Sequence, residues 1–150
     1  MVETDALDLT ISEYRAFSPH LSVFWHTEPT AERFREMAEY RKPDLRDPDS
    51  FYFKAVDTDT KQVVGTAYWK VFKELPSVLE SDTSLQDRGS DPERNDAAIA
   101  DFRKGIMTAR REIMAAEPCV MLGILVVLPE HQRKGIGRLL MQWGLDQMDA

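Results

Sequence analysis

A continuous apolar run, Val120 to Leu128 (VMLGILVVL), constrains the fold of this chain more than any other segment. Its length is that of a β-strand, and a run without polar alternation is typical of a strand covered on both faces. The segment from Pro129 to Arg138 follows it and contains two glycines, after which Leu139 and Leu140 continue in a helical pattern. The sequence therefore predicts a buried strand, a turn and a helix in direct succession, as in α/β and α+β domains.

The turn between this strand and the helix has the properties of a phosphate-binding site. Backbone amides at a helix start lack intrahelical partners and lie at the positive end of the helix dipole, so they bind phosphate or pyrophosphate readily. Gly135 and Gly137 carry no Cβ that would hold a ligand away from the main chain. Positive charge is added by three side chains, those of Arg133, Lys134 and Arg138. The alternative interpretation is an ordinary helix start with two glycines and solvated basic residues.

The string from Gln132 to Gly137 (QRKGIG) resembles the Gln/Arg-x-x-Gly-x-Gly/Ala pattern of the GNAT superfamily of N-acyltransferases, and it stands in the same strand, turn and helix context. The resemblance implies a three-layer domain in which helices flank a mostly antiparallel sheet. It implies direct transfer of an acetyl or short acyl group from acetyl-CoA, as cosubstrate, to an amine, with no metal. The coenzyme-binding residues it implies are Leu125, Val126 and Val127 through their main chain, and Gln132, Arg133, Lys134, Gly135, Ile136, Gly137 and Arg138.

Two other phosphate-binding motifs do not fit this turn. A Walker A loop requires a glycine, four residues and then Gly-Lys-Ser/Thr, which the segment lacks. The dinucleotide fingerprint requires a further glycine or alanine where Leu140 stands. The turn therefore matches the GNAT pattern and neither of these two motifs.

The first half of the chain predicts a strand, a helix and a hairpin. Asp8 to Ser12 (DLTIS) alternates polar and apolar residues, which predicts a short strand. A helix is predicted from Pro29 to about Arg41, before a cluster of proline and aspartate residues that breaks it. Phe51 to Val56 and Gln62 to Phe72 predict two strands joined by the turn Asp57 to Lys61. This hairpin resembles the second and third strands of fungal-type GNAT proteins.

The second half begins with a long polar segment, Lys73 to Asn95. Such a segment is a flexible connection, a substrate lid or a lid-like short helix. Asn95 or Asp96 then caps a helix that ends before Pro118, and its apolar stripe is expected to pack on the sheet. The stripe consists of Ile99, Phe102, Ile106, Ala109 and Ile113.

Composition excludes several classes of protein. At 150 residues, with 43% hydrophobic and 30% charged residues, the chain predicts one globular domain over residues 1–150. A formal net charge of −7 disfavours nucleic-acid binding, and no apolar stretch approaches the length that spans a bilayer. Cys119 is the single cysteine, and the three histidines lack metal-ligand spacing. Without a secretory signal at Met1 to Asp5, we expect a cytoplasmic or nuclear location.

The residues that would carry proton transfer are not evident in the sequence. Acylation of an amine requires a base, or a chain of waters leading to one, and Val120 to Leu128 contains no carboxylate. Many GNAT relatives use a tyrosine beyond the third helix as the acid, and this sequence stops at Ala150 before that position, so the resemblance assigns that role to no tyrosine here. The rival hypothesis is a noncatalytic acyl-CoA-binding or interaction module. The acceptor stays open among small-molecule amines, polyamines, peptides and proteins.

The GNAT layout continues beyond the helix in which this sequence ends. We therefore expect an incomplete domain whose last strand has an uncovered edge. Self-association as a homodimer, a further segment in the natural protein, or an open edge lined by coenzyme A would each account for it.

Overall fold

The computed structural model describes residues 1–21, 23–73, 93–113 and 118–148. These residues form four α-helices and a three-stranded antiparallel sheet. In chain order the elements are α1 (Ala6–Leu21), α2 (Ala31–Arg46), β1 (Ser50–Val56), β2 (Val63–Phe72), α3 (Asp96–Ile113), β3 (Cys119–Val127) and α4 (Ile136–Met148). Short 3-10 turns lie at Glu3–Asp5 and Pro129–His131. The predicted class of fold is confirmed, with an antiparallel sheet flanked by helices and a strand, turn and helix near the C-terminus.

The chain begins with a helix where the sequence predicted a strand. The prediction of a strand over Asp8–Ser12 is wrong, since these residues lie within α1. Ala6, Leu9 and Glu13 follow one another at intervals of three and four residues, and all three are buried. That spacing puts them on one face of a helix, and the presence of a glutamate on this face conceals the apolar period.

The second helix starts two residues after the predicted Pro29 and also ends later than predicted. Thr30 caps it, because its Oγ1 accepts a hydrogen bond from the Arg33 amide at 3.2 Å. The predicted helix over Pro29 to Arg41 is too short, since α2 continues to Arg46 with Pro43 inside it. The predicted cluster of proline and aspartate residues does end the helix, but at Asp47 rather than before Pro43.

Tertiary contacts hold the last turn of α2 despite the proline. A proline in a helix removes one backbone hydrogen bond and costs about 3 kcal/mol in a helix interior. Leu45 packs against the buried cluster that contains Leu9, and Arg46 pairs with Glu3 at 2.5 Å. These contacts come from residues distant in sequence, so the local pattern could not indicate them.

The sheet has the order β1-β2-β3, and β2 pairs antiparallel with both neighbours. The predicted hairpin of Phe51–Val56 and Gln62–Phe72 is confirmed to within a residue at each strand start. β2 is buried along most of its length, whereas β3 is half-buried and lies at an edge of the sheet formed by the described residues. The prediction that Val120–Leu128 is covered on both faces is confirmed, since Ile124 packs with Leu9 and Leu125 packs in the cluster of Leu140, but the strand is not fully buried. The central strand is β2.

Helices cover both faces of the sheet. Leu9 of α1 packs with Tyr52 and Tyr68 on one face. On the other face Leu140 of α4 packs with Trp69, and the surrounding apolar side chains include Phe51, Phe53, Leu122, Leu125, Val127, Ile136 and Trp143. Trp69 is 3% exposed and lies at the centre of this cluster. Leu140 is buried, whereas its neighbour Leu139 is 75% exposed and does not belong to this core.

The third helix has the predicted cap but not the predicted packing. Asn95 Oδ1 accepts a hydrogen bond from the Ala98 amide at 3.2 Å. Within the predicted apolar stripe, Phe102 is 53% and Ile113 is 79% exposed. The ring of Phe102 lies 5.2 Å from that of Phe24, which precedes α2. The expectation that this stripe packs on the sheet is therefore wrong for Phe102 and Ile113.

Most of the polar segment Lys73–Asn95 lies outside the described residues, and so do the interpretations offered for it. Its described end is fixed to the connection between α1 and α2. The His26 amide donates to Glu93 O at 2.8 Å, and the Asn95 amide donates to Phe24 O at 2.9 Å. The start of α3 is thus held beside the connection between α1 and α2.

Candidate functional site

The turn between β3 and α4 has a compact hydrogen-bonded geometry. The His131 amide donates to Leu128 O at 2.8 Å, which closes the short turn after the strand. Gln132 Nε2 then donates to Val127 O at 3.1 Å, so this side chain ties the loop to the end of β3. Gln132 was implied as a coenzyme-binding residue, and its carboxamide also has this internal role. No sequence pattern indicates the second role.

Two residues of this loop adopt left-handed backbone conformations. Arg133 has φ 60° and Gly135 has φ 83°. Such values are costly for residues with a Cβ and are ordinary for glycine. A Cβ built at Gly135 would have no atom within 4 Å, and one built at Gly137 would lie 3.9 Å from Val127 Cγ2. The space in front of both glycines is therefore open in the protein itself.

The main-chain amides of this loop are available to a ligand. The Leu139 amide donates to Gly135 O at 3.1 Å and closes the first turn of α4. Within the described part of the chain, no backbone acceptor binds the amides of residues 133–138. Unpaired amides at a helix start, beside open space, are the arrangement that binds phosphate groups. The loop therefore has the geometry of a site for a phosphate or pyrophosphate group.

Charge around the loop favours an anion. Arg133, Lys134 and Arg138 are exposed. Glu130 would oppose an anion, but its Oε1 pairs with Arg15 Nη2 of α1 at 3.0 Å. The ion pair partly neutralises the acidic side chain nearest in sequence to the loop, although an exposed pair contributes little to stability. Arg15 was not identified from sequence, because 115 residues separate it from its partner.

Two glycines allow α4 to start close to the strands. A Cβ on Gly65 of β2 would lie 2.9 Å from Val126 O and 3.3 Å from Ile136 Cγ2. A Cβ on Gly144 of α4 would overlap the indole of Trp69. Close packing of the helix against β2 and β3 fixes the position of its N-terminal amides relative to the strand edge.

The backbone alternation of β3 decides which of its groups face the open edge. The Leu128 amide donates to Val64 O at 2.9 Å, so Leu128 and Val64 form a hydrogen-bonded pair of the antiparallel ladder. Alternation then turns the amide and carbonyl of Val126 towards β2, and those of Leu125 and Val127 away from it. The outward Val127 carbonyl already accepts a hydrogen bond from the Gln132 side chain. An extended ligand along this edge could therefore form hydrogen bonds with Leu125 N–H, Leu125 C=O and Val127 N–H.

A bulge interrupts β3 at Gly123. Ile124 pairs with Tyr68 and Leu122 with Trp69, so Gly123 has no partner residue across the ladder. A Cβ at Gly123 would lie 2.6 Å from the ring of Tyr68, so the tyrosine ring occupies the place of a side chain. Bulges bend a strand and redirect its polar groups, and they occur often beside active sites.

A buried carboxylate comes from α1 rather than from β3. The side chain of Glu13 is 7% exposed and pairs with Arg41 of α2, whose Nη2 lies 2.5 Å from Glu13 Oε2. Burial raises the pKa of Glu13, although the charge of Arg41 and its hydrogen bond act in the opposite direction. Sequence analysis missed this residue because the segment directly before it, Asp8–Ser12, was predicted as a strand rather than as part of a helix.

The surroundings of Cys119 and Trp69 are those of side chains that take part in packing. Cys119 is half-buried, and burial raises the pKa of its thiol. Trp69 Nε1 donates to Leu140 O at 3.4 Å inside the core.

Among the described residues, no group of three His, Cys, Asp or Glu side chains could hold a metal ion. None of the described helices has the length and apolar character that crossing a membrane requires.

Comparisons with known proteins agree with this geometry. A model of the acetyltransferase (GNAT) family matches residues 12–150. Among solved structures, the chain is similar to a mosquito arylalkylamine N-acetyltransferase like 5b, with 13% sequence identity and a TM-score of 0.61 over 97% of this chain and 67% of that chain. At this identity the likeness shows the fold alone. No protein with a curated description matches the sequence.

Proposed function

The chain belongs to the GNAT acetyltransferase family, and from this premise we propose that it transfers an acetyl group from acetyl-CoA to an amine by direct attack. The observation that carries the proposal is the open loop at Gln132–Gly137, where unpaired amides and open space at two glycines meet three basic side chains. A pyrophosphate is the ligand that this combination suits best.

Each part of the site would have a distinct role in binding acetyl-CoA. The amides of residues 133–138 would hold the pyrophosphate, and the exposed basic side chains would add charge. The outward groups of Leu125 and Val127 would hydrogen-bond the amides of the pantetheine arm, as an added strand does at a sheet edge. The thioester would then lie near the bulge at Gly123.

The rate enhancement would arise mainly from positioning and electrostatics. Holding the thioester and amine together replaces a bimolecular encounter by an intramolecular one. A main-chain amide of β3 would donate to the thioester oxygen as negative charge develops there. The neutral amine attacks the carbonyl carbon, the carbon–sulfur bond breaks, and coenzyme A leaves as a thiolate that takes up a proton.

A noncatalytic acyl-CoA-binding module is the second candidate, favoured by the absence of a carboxylate in β3. A measurement of turnover distinguishes the transferase from the binding module. We would incubate the protein with acetyl-CoA and, in turn, 2-phenylethylamine, spermidine and a lysine-containing peptide, and measure release of the free thiol. Amine-dependent release supports the transferase. Acetyl-CoA binding without release from any of the three amines would favour the binding module.

A further inference from the structure

A long-range ion pair joins α1 to the turn that precedes the loop at Gln132–Gly137. Arg15 Nη2 of α1 lies 3.0 Å from Oε1 of Glu130, a residue of the turn Pro129–His131. Both side chains are about half exposed. An exposed ion pair contributes little to stability, because water screens it and ordering two long side chains costs entropy. The pair therefore changes the electric field beside the loop more than it changes the stability of the fold.

Glu130 lies close to the amides that would bind phosphate. Three residues of extended chain span at most about 11 Å, which sets the largest distance between the Cα atoms of Glu130 and Arg133. The chain is shorter than that here, because the Gln132 amide donates to Pro129 O at 3.3 Å and closes the turn. At 0.1 M salt the Debye length is about 10 Å, so the charge of Glu130 is only partly screened at the loop.

An unpaired Glu130 would weaken the binding of an anion. At low salt, one negative charge about 10 Å from a ligand with two negative charges weakens its binding about threefold. The guanidinium of Arg15 removes most of this repulsion, because it carries the opposite charge and lies in contact with the carboxylate. The basic side chains Arg133, Lys134 and Arg138 then attract the ligand without this opposing charge.

A second carboxylate, that of Asp57, lies near the same turn. Its pKa is below its ordinary value, mainly because the amide and hydroxyl of Thr60 donate to it, and the charge of His131 acts in the same direction. The donors belong to the hairpin between β1 and β2, so the carboxylate of Asp57 is held within its own turn. Changing Arg15 or Glu130 leaves this charge in place, so differences between variants of that pair report the pair itself.

The pair also attaches the turn to the folded core. Leu9 of α1 is buried against the sheet, so this helix is a fixed support. Gln132 holds the loop to the end of β3, because its Nε2 donates to Val127 O at 3.1 Å. Glu130 adds a second attachment, so the turn is held both from the strand and from α1.

We propose that Arg15 is a positioning residue for acetyl-CoA, which neutralises and holds Glu130 so that the loop presents its positive charge to the pyrophosphate unopposed. Arg15 acts through Glu130 and does not contact the ligand. The inference rests on the proposed use of acetyl-CoA and deepens it, since it names a residue pair that sets the affinity for the anionic part of the coenzyme.

A double-mutant cycle on acetyl-CoA affinity tests this role, with dissociation constants measured by isothermal titration calorimetry. Arg15→Ala leaves Glu130 unpaired, so the dissociation constant should rise about threefold at about 10 mM salt. Glu130→Gln removes the carboxylate, so this variant should bind at least as tightly as the parent. In the Glu130→Gln background, Arg15→Ala should change the affinity by less than about 1.5-fold, because no repulsive charge remains.

Further measurements separate the charge effect from a change in the fold. At about 500 mM salt the Debye length is about 4 Å, so the affinity of Arg15→Ala should return to within about 1.5-fold of the parent's at the same salt. Arg15→Lys keeps the positive charge and should bind acetyl-CoA as the parent does. Arg46→Ala is the matched control, since it breaks a similar exposed pair with Glu3 near β1, at the other edge of the described sheet. Its affinity for acetyl-CoA should equal that of the parent.

A loss in Arg15→Ala that persists in the Glu130→Gln background or at high salt would show that Arg15 contacts the ligand or supports the fold, and would overturn the inference. An Arg15→Ala protein that binds acetyl-CoA like the parent at low salt would overturn it as well. If the parent binds acetyl-CoA but acetylates no amine, the proposed function fails, while the cycle still tests the inference. A parent that binds no acetyl-CoA refutes both.

Discussion

Replacement of Gly135 by valine tests the loop at its most sensitive position. Gly135 has φ 83°, a conformation that costs a residue with a Cβ about 1–2 kcal/mol, so the variant should melt at a lower temperature. A Cβ at this position meets no protein atom within 4 Å, so the free protein has no clash. The added methyl groups would occupy the space in which we place the pyrophosphate.

The valine at position 135 should therefore weaken acetyl-CoA binding as well as lower the stability of the free protein. We expect the dissociation constant for acetyl-CoA to rise at least about tenfold, equivalent to about 1.4 kcal/mol. Isothermal titration calorimetry measures it well below the melting temperature of the variant, where both proteins are folded. Loss of affinity then reports the binding site rather than unfolding.

Gly105→Val provides the matched control. Gly105 lies in α3, and a Cβ there also meets no atom within 4 Å. The chemical change is the same, but the position is distant in sequence from the loop, so acetyl-CoA affinity should equal that of the parent. A folded Gly135→Val protein that binds within about twofold of the parent, a difference of about 0.4 kcal/mol, would show that the phosphate-binding assignment is wrong.

Three further outcomes follow from the packing and the edge of the sheet. Gly144→Ala forces a methyl group into the indole of Trp69 and should lower the free energy of unfolding by about 1–3 kcal/mol in urea titrations; an unchanged midpoint would contradict the packing. Gln132→Ala removes the hydrogen bond to Val127 O and should cost about 1 kcal/mol of stability together with some acetyl-CoA affinity, and a variant equal to the parent in both would show that the tie is unimportant. Light scattering across a concentration series should show self-association of the free protein through the edge of β3 that acetyl-CoA reverses, because the pantetheine arm is placed along the same edge, and a strictly monomeric, cooperatively melting chain would show that this edge needs no partner.

The elements with a long local pattern could be predicted from sequence, and those that depend on distant contacts could not. The loop at Gln132–Gly137 was placed correctly between a strand and a helix, because its glycines and the apolar run before it are local signals. The start of α1 was misassigned, since a five-residue alternation cannot be told from a helix face that contains a buried glutamate. The partner that makes this burial tolerable, Arg41, lies 28 residues away.

For the candidate site, too, features with a local pattern could be predicted from sequence, and features that depend on distant contacts could not. The coenzyme loop could be identified from motif and context, and its role remains a prediction. The pairing of Leu128 with Val64 decides which main-chain groups of β3 point towards β2 and which point outward. The sequence alone does not give this pairing. The contrast between β2 and β3 has a similar origin: both runs are apolar, and only the strand order decides which of them is central.

Thermal melting with acetyl-CoA tests the central claim most directly. A ligand that binds the folded state alone stabilises it by about 2.7 kcal/mol at 100 times its dissociation constant. For a chain of this size that corresponds to a rise of about 5–10 °C in the melting temperature. An acetyl thioester without the pyrophosphate, such as S-acetyl-N-acetylcysteamine, should give a much smaller shift at the same concentration. Absence of any shift at millimolar acetyl-CoA would contradict the account.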